Sequence, residues 1–266
     1  MGSFFVCSAA SASWPRRHLG TVPAAPAREF PVVFEDDFLI AIDKPAGVAV
    51  HGGSGVSSGV IEQLRQARPG AKFLELVHRL DKETSGLLLI AKKRSALVAL
   101  QEQLRQRETG KTYAALVIGA WPASRRVIDV ALHKFLTDGG ERRVHAVGDD
   151  HEAGRRSITL VKVVREFAAF TLLDVTIKTG RTHQIRVHLT HEGHPIVGDE
   201  KYGDFALNKA LAKGSAIPGA RFDRMFLHAK QLRFAHPATG EVITLAAPLP
   251  AECETLIHAL ALQAPA

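Results

Sequence analysis

The run HRLDKETSGLLLIA occupies residues 78–91 and joins two contrasting halves. Its second half, from Leu87 to Ala91, is apolar and predicts a short buried strand. Its first half is a polar loop that leads directly into this strand, and rigid scaffolds often hold functional side chains at such positions. Asp81 lies in this loop. Taken alone, Asp81 also fits a turn residue whose carboxylate caps the backbone, so the meaning of the loop depends on the rest of the chain.

Strand and helix patterns extend from this run in both directions. Apolar and β-branched segments predict strands at residues 32–42, 112–118, 157–164 and 170–177, and a closing hairpin at residues 226–234 and 242–245. Apolar residues three and four apart predict helices at residues 56–67, 95–106, 183–191 and 251–262. Strands and hairpins with intermittent helices favour an α+β fold with a mixed, largely antiparallel sheet.

Composition restricts the class of protein. Apolar residues make up 46% of the 266 residues and charged residues 23%, as in an ordinary globular enzyme. No apolar run approaches the roughly 18 residues of a transmembrane helix, so we expect no membrane association. The formal charge of +7 indicates a polyanionic partner such as nucleic acid. The two cysteines, Cys7 and Cys253, form no disulfide or metal-binding pattern, which predicts a reducing compartment, the cytoplasm.

The first 28 residues differ in composition from the rest. They are rich in Ala, Ser and Pro, they contain Arg16, Arg17 and Arg28, and they lack acidic residues. This composition predicts a disordered tail at residues 1–28, with an organellar transit peptide as the alternative. Residues 29–266 then form one folded domain, which we expect to be monomeric.

Two further runs place polar residues at the ends of predicted strands. KTGRTHQIRVH, at residues 178–188, has Arg181 near a helix start, where free N–H groups can hold phosphate; the alternative is a solvated basic helix. GKTYAALV, at residues 110–117, places Tyr113 at a strand start, where it is either a site residue or a core aromatic with its hydroxyl at the surface.

In order along the chain, the motifs HRLD-x-x-TSG, KTY, GRTHQIRVH, GHPIVGDEKYG and FLHA resemble the RluA family of pseudouridine synthases. The pattern extends from about Phe30 to Pro248, and the stretch at residues 50–81 is particularly similar to members that act on large-subunit ribosomal RNA. The resemblance implies a pseudouridine synthase catalytic domain at residues 29–266. It also implies that this domain isomerises specific uridines in RNA, with large-subunit ribosomal RNA as the target.

The resemblance implies a role for each of four residues, and two more are candidates for binding the substrate. Asp81 matches the catalytic aspartate of the family, Tyr113 matches the tyrosine that lies against the target base, and Arg186 matches the arginine that pairs with the aspartate. The substrate-binding candidates are Arg79, which in relatives can enter the space left by the flipped base, and Arg181 and His183. Four groups of basic residues, at 92–94, 125–126, 142–143 and 155–156, form a candidate set of phosphate contacts.

The implied chemistry fits these residue types. Pseudouridine formation breaks the C1′–N1 glycosidic bond, turns the uracil and forms a C1′–C5 bond, so a carboxylate beside the sugar can act as base or nucleophile. The sequence leaves open whether Asp81 attacks C1′, adds to the ring or removes a sugar proton. No redox change occurs and no group is donated, so we expect no metal and no organic cofactor. The histidines at 183, 188, 191 and 194 lack an acidic residue or cysteine at ligand spacing.

The sequence does not determine which RNA is the target. Similar members of the family carry a small S4-type RNA-binding module before the catalytic domain, but here the first catalytic strand is reached by about residue 31, so we expect no such module. Transfer RNA is an alternative target for the same chemistry. A non-catalytic RNA-binding ribosome-assembly factor and a DNA-base glycosylase, which also flips a base, are alternatives of other classes.

Overall fold

The structure is a computed structural model, and it describes residues 25–53, 58–137, 142–148 and 150–263. The strands are β1 (Val32–Glu35), β2 (Leu39–Lys44), β3 (Glu75–Leu76), β4 (Ser85–Ala91), β5 (Gly110–Ile118), β6 (Val127–Asp129), β7 (Ala131–Leu136), β8 (Arg142–Val147), β9 (Ile158–Glu166), β10 (Phe170–Ile177), β11 (Leu227–Ala235) and β12 (Val242–Ala246). The helices are α1 (Val60–Ala67), α2 (Arg94–Arg105), α3 (Gln184–His191), α4 (Phe205–Lys213) and α5 (Ala251–Leu262).

One large sheet organises the chain. Its strand order is β1-β2-β4-β11-β5-β10-β9-β6, with β12 paired to β11 and β3 paired to β4. Among the described strands, β4 and β11 form the parallel pair, and the other pairs are antiparallel. Strands β7 and β8 form a separate two-stranded sheet. The α+β class with a mixed, largely antiparallel sheet is therefore confirmed.

Strand β4 lies at the centre of the core, and all of its residues are buried. Leu88 and Ile90 face the larger apolar cluster, which α1, α3 and α5 help to cover. Leu87, Leu89 and Ala91 face a second cluster on the opposite side, where α2 packs. Alternate residues of a strand point to opposite faces, so a strand covered on both sides needs an unbroken apolar run. The sequence LLLIA meets that requirement.

The start of β4 depends on a glycine. Gly86 has a φ of +106°, a backbone conformation that residues with a side chain rarely adopt. It pairs with Ala229 of β11, and a Cβ atom at position 86 would lie 2.4 Å from the Ala229 carbonyl oxygen. The parallel contact between β4 and β11 therefore requires glycine at the point where the functional loop enters the sheet.

Most of the expected elements are present with shifted ends. Helix α5 begins and ends where its periodicity predicts, and the hairpin of β11 and β12 matches the expected one to within a residue. The helix expected at residues 56–67 begins at Val60 in the structure, and residues 56–57 lie outside the described ranges. The helix expected from residue 183 begins at Gln184, because His183 is its N-cap residue with a φ of +51°.

The single strand expected at residues 32–42 is wrong. The segment forms two antiparallel strands, β1 and β2, joined by a turn at Asp36. The Asp36 carboxylate accepts hydrogen bonds from the backbone N–H groups of Phe38 at 2.7 Å and Leu39 at 2.9 Å. An aspartate side chain that bonds the backbone two and three residues on reverses the chain without glycine or proline. The acidic pair at residues 36–37 was the available signal for this turn.

Five elements were not expected from the sequence, namely β3, β6, β7, β8 and α4. Helix α4 buries only Leu211, so it lacks the periodic apolar face that predicts a helix. Its capping signals were present: the Asp204 carboxylate accepts from the Leu207 N–H, and Gly214 ends the helix with a φ of +72°. Strand β6 has only three residues, and in β6 to β8 the described buried apolar residues are few, namely Ile128, Ala131, Leu132 and Val144, so the apolar alternation is weak.

The tail expected at residues 1–28 concerns mainly residues that lie outside the described ranges. Of the last four, Arg28 donates its backbone N–H to the Gln63 carbonyl at 3.3 Å, and its guanidinium lies 4.9 Å from the centre of the Phe30 ring. Within the part of the chain that is described, no helix has the length and apolar character needed to cross a membrane.

The Gly86→Ala substitution should lower the free energy of unfolding by about 3 kcal/mol, since it adds both backbone strain and a backbone clash. Thermal or urea unfolding measures this change. The matched control is Gly70→Ala, because Gly70 has no positive φ and a Cβ there meets nothing within 4 Å. Equal stability of the two variants would contradict the role assigned to Gly86.

Candidate active site

A single cleft of about 370 Å³ collects all six residues singled out in the sequence. It is lined by Arg79, Asp81, Tyr113, Arg181, His183 and Arg186, together with others that include Lys111, Arg105 and Leu227. The loop before β4, the strand β5 and the start of α3 supply these side chains. Residues from three distant parts of the sequence therefore meet beside the central strands β4, β11 and β5.

The loop that carries Asp81 is anchored on one side by a buried lysine. Lys44, at the end of β2, is fully buried, and its ammonium donates to the carbonyl oxygens of Pro45 and Val48 at 2.8 Å and of Lys82 at 3.1 Å. The Gly47 N–H also donates to the Lys82 carbonyl, at 2.9 Å. Burial lowers the pKa of Lys44 to about 7, while nearby carboxylates favour its charged form. The turn after β2 thus holds the backbone directly after Asp81.

The other side of the loop is anchored by a histidine. His78 Nε2 accepts a hydrogen bond from the Leu89 N–H at 3.2 Å. Burial and the nearby Lys111 lower the pKa of His78 to about 4, so the imidazole is neutral at pH 7 and can accept this bond. Asp81 lies between the two anchors, and its carbonyl accepts from the Thr84 N–H at 3.1 Å. The conformation of the loop is therefore held from both ends.

Arg186 links two carboxylates. Its Nη1 lies 3.3 Å from Asp81 Oδ2, while its Nε and Nη2 donate to the two carboxylate oxygens of Asp199 at 2.7 and 2.8 Å. A planar guanidinium fits a carboxylate with two parallel bonds, so Asp199 fixes the orientation of Arg186. One N–H group then remains directed at Asp81.

Asp199 is 1% exposed and has more than one source of stabilisation. Its Oδ1 also accepts from the backbone N–H groups of Lys201 at 2.8 Å and Tyr202 at 3.0 Å. Burial alone would raise the pKa of this carboxyl, but the bonds and charge of Arg186 and these two amides outweigh burial and lower it. The same partner raises the pKa of Arg186 against the effect of its burial. The pair is thus charged and fully hydrogen-bonded.

Asp199 was missed in the sequence. It lies within the motif GHPIVGDEKYG, which contributed to the family resemblance but received no role. The signal available was a carboxylate inside a motif whose other polar residues had no assigned purpose. Neither spacing nor periodicity connects position 199 with position 186, since the two are joined only through the loop that follows α3.

His183 contacts both Asp81 and a second aromatic residue. Its Nδ1 lies 2.8 Å from the Tyr202 hydroxyl, and its Nε2 lies 3.8 Å from Asp81 Oδ2. The Tyr202 hydroxyl also accepts from the Val144 N–H at 3.2 Å. Burial, Arg186 and Lys201 lower the pKa of His183, although Asp81 opposes this.

Tyr113 forms one wall of the cleft on β5 and is 7% exposed. Burial raises the pKa of its hydroxyl, and the charge of Asp81 raises it further. The hydroxyl therefore stays protonated at neutral pH and can donate a proton or hydrogen bond, while the ring offers a flat face for stacking.

The positively charged residues that line the cleft are not those of the four basic groups expected to contact phosphates. Arg79 and Arg181 are exposed at the cleft, and Lys111 and Arg105, which the sequence did not single out, also line it. None of the described residues in the four basic groups lines this cleft. Several of them instead form ion pairs: Lys92 with Glu35, Arg125 with Glu192, and Arg156 with Asp129.

Two of the other histidines considered as metal ligands, His188 and His194, have protein partners. His188 bonds with Thr159 Oγ1 at 2.8 Å and with the Val130 carbonyl at 3.1 Å. His194 Nδ1 bonds with the Ile118 carbonyl at 2.9 Å. Over the described ranges, no group of three or more histidine, cysteine or acidic residues could hold a metal ion.

The Asp199→Asn substitution should lower the free energy of unfolding by about 3 kcal/mol, because it leaves the buried Arg186 charge without its main partner. Unfolding measured against pH adds a signature. The pKa of Asp199 is lower in the folded protein than its ordinary value of about 4. The stability that ionised Asp199 contributes is therefore complete above a pH of about 4, and it is lost as the pH falls through the pKa of the folded state. The stability gap between wild type and variant should narrow below pH of about 4.

The exposed Asp223→Asn variant is the matched control, since Asp223 pairs at the surface with Arg221 at 3.8 Å. It should change stability by less than about 0.5 kcal/mol. A stability loss in Asp199→Asn no larger than that of the control would contradict the importance of the buried pair.

Comparison with known proteins gives the family of this chain. The family model described as RNA pseudouridylate synthase matches residues 38–191. The chain is 48% identical over 218 residues to ribosomal large subunit pseudouridine synthase C of Escherichia coli (strain K12), covering 82% of this chain and 66% of the relative. It is 50% identical over 218 residues to the protein of the same name from Yersinia pestis, covering 82% and 65%. The chain thus spans about two thirds of the length of these relatives.

Solved structures agree. Human RNA Pseudouridylate Synthase Domain Containing 4 matches with a TM-score of 0.70 and 27% identity, covering 87% of this chain and 93% of that one. Human RNA Pseudouridylate Synthase Domain Containing 1 matches with a TM-score of 0.68 and 26% identity, covering 88% and 95%. The motifs, the fold and these relatives lead to one conclusion: the chain belongs to the RNA pseudouridylate synthase family.

Proposed function

We propose that this chain isomerises specific uridines in RNA to pseudouridine and that its target is large-subunit ribosomal RNA. The observation that carries the reaction is the meeting of Asp81, Tyr113 and Arg186 in one cleft. The target class follows the names of the similar proteins from Escherichia coli and Yersinia pestis, which are ribosomal large subunit synthases.

The proposal includes a monomeric enzyme in the cytoplasm. Cys253 is a buried free thiol, which is in keeping with a reducing compartment. RNA is the partner, and the positive charge of +7 supports this choice.

Asp81 is the proposed catalytic carboxylate. The reaction breaks the C1′–N1 bond, forms the C1′–C5 bond, returns a proton to N1 and releases the hydrogen of C5 to water. Asp81 acts on the ribose or the uracil as nucleophile or base, and Arg186 Nη1 lies 3.3 Å from its carboxylate. Asp199 takes both parallel bonds of the guanidinium, so Arg186 contacts Asp81 through one N–H and leaves most of its lone pairs available.

The detached uracil must stay in place while it turns. Tyr113 supplies a stacking face, and its protonated hydroxyl can donate to a uracil oxygen. The nucleotide reaches the cleft only after leaving its stack, which costs a few kcal/mol. Arg79 is exposed beside the cleft, and its cation can occupy the space left in the RNA, which offsets part of this cost.

Tritium release from RNA labelled at C5 of uridine tests the reaction, because a new bond at C5 must expel that hydrogen. The wild-type chain should release tritium, and Asp81→Asn should reduce the rate by at least about a thousandfold, as expected for loss of an essential catalytic group. The matched control is Glu83→Gln, a carboxylate two residues away in the same loop, which should keep the rate within a few-fold. Release from Asp81→Asn at the wild-type rate would contradict the proposal.

Unmodified large-subunit ribosomal RNA and transfer RNA, assayed in parallel, test the target class. Release from ribosomal RNA alone supports the proposal. Release from transfer RNA alone keeps the chemistry and rejects the target. Binding to both RNAs without release from either would instead favour a non-catalytic RNA-binding role.

The affinity for RNA should fall with salt, because cations at the cleft release counterions from the phosphates they contact. Replacing one such cation, in Arg79→Gln or Arg181→Gln, should reduce the slope of log affinity against log salt by about 0.7 for a single strand. Fluorescence anisotropy from 50 to 300 mM salt, about the range in which such effects are large, measures the slope. Arg221→Gln, away from the cleft, is the control, and identical slopes for all variants would contradict this contact surface.

A further inference from the structure

The hairpin of β7 and β8 has two different faces. In its register, His133 lies opposite His145, and Lys134 lies opposite Val144. Leu132 and Val144, on one face, are buried against Val187 of α3. Because alternate residues point to opposite sides, the other face carries His133, Phe135 and His145.

The outward face forms a continuous group of rings. The Phe135 and His145 ring centres are 4.6 Å apart, those of His133 and His145 are 5.4 Å apart, and His151, in the loop after β8, lies 4.8 Å from His133. We call this group, His133, Phe135, His145 and His151, the ring face. His145 and His151 are exposed, and the other two are partly exposed.

The contacts of these rings are mainly with each other. The nitrogens of His133 and His151 meet only the backbone of Ala153, at 3.5 and 3.2 Å, among their described hydrogen bonds. Burial lowers the pKa of His145, and the neighbouring His133 and His151 lower it further, so this ring is neutral at pH 7. In the portion of the chain that is described, these histidines form no group able to hold a metal ion. A solvent-facing group of flat rings is suited to stacking.

The charges around the ring face favour bases over phosphates as its ligand. Cations also belong to this surface: Arg143 lies opposite Phe135 on the same side of the hairpin, and Arg155 pairs with Leu132, while exposed Asp150 and Glu152 flank His151 in the sequence. A phosphate-binding surface would not carry carboxylates beside its centre, whereas stacking on aromatic rings is tolerant of mixed charge.

The hairpin is joined to the wall of the cleft. The Val144 N–H donates to the Tyr202 hydroxyl at 3.2 Å, and the Tyr202 ring lies 5.1 Å from the Arg186 guanidinium. Arg143 of β8 and Arg186 also line one small neighbouring cavity. The hairpin therefore borders the cleft wall on the Tyr202 side.

We propose that the ring face is a stacking platform for unpaired bases that flank the nucleotide held in the cleft. This inference rests on the proposed function, since it assumes that the cleft receives a nucleotide of RNA. Its consequence is that the chain selects targets in single-stranded or loop segments, where flanking bases are free to leave their stack.

Two synthetic RNAs of equal charge test the platform. One is a 12-nucleotide oligouridylate, and the other has a single central uridine with abasic nucleotides elsewhere. The full-length wild-type chain should bind the first at least tenfold more tightly, because each base stacked on an aromatic side chain contributes on the order of tenfold or more. The Phe135→Ala/His145→Ala double variant should lose most of this preference and bind the abasic RNA as wild type does.

Two controls separate stacking from damage to the hairpin. Leu136→Ala removes an exposed apolar side chain from the same hairpin, outside the ring face, and should keep the preference. His145→Phe keeps a ring at position 145 and should also keep it. An unchanged preference in the double variant, or its loss in His145→Phe, would overturn the platform.

The tritium-release assay on the same preparations distinguishes the two proposals. Normal turnover together with an unchanged preference in the double variant rejects the platform alone. A preference that depends on the ring face, in a wild-type chain without turnover on any RNA, supports the platform and rejects the proposed activity.

Discussion

The chain of charges from Asp81 through Arg186 to Asp199 is the interaction on which the site depends. Leaving one buried charge unpaired costs several kcal/mol, so each member constrains the others. Asp199 takes two N–H groups of the guanidinium and fixes its plane, and one N–H then meets Asp81 at 3.3 Å. Because Nε and Nη2 of Arg186 are bonded to Asp199, Arg186 cannot form the paired, two-bond contact with Asp81 that an isolated ion pair would allow. Asp81 is thus held near a cation while it stays accessible from the cleft.

The fold brings these charged residues together and fixes the loop that carries Asp81. Asp81 and Arg186 are 105 residues apart in the sequence, and they meet because the loop before β4 and the start of α3 line the same cleft. The loop before β4 is fixed by the buried ammonium of Lys44 and by the neutral imidazole of His78, while Gly86 permits the close approach of β11. These contacts remove conformational freedom from Asp81 before any substrate binds, which is how a rigid scaffold lowers the cost of orientation.

The sequence predicted the fold class and the six cleft residues, for different reasons. Periodicity located most strands and helices, because burial on one face leaves a regular pattern, and it failed where burial was slight, as in α4 and in the hairpin of β7 and β8. The site residues came from ordered motifs, not from spacing. Asp199 and Lys111 were missed because their significance lies in contacts between distant segments, and the ring face is visible only once the register places His133 opposite His145.

The most direct test of this account is a crystal structure of the Asp81→Asn chain with an unmodified uridine-containing RNA stem-loop. The account places one uridine out of its stack, with its base against Tyr113 and its C1′ at about 3–4 Å from the residue 81 side chain, as a reacting pair requires. Arg186 should remain bonded to Asp199 in that complex. RNA bound with the cleft empty, or a uridine whose sugar lies far from residue 81, would contradict the central role given to Asp81.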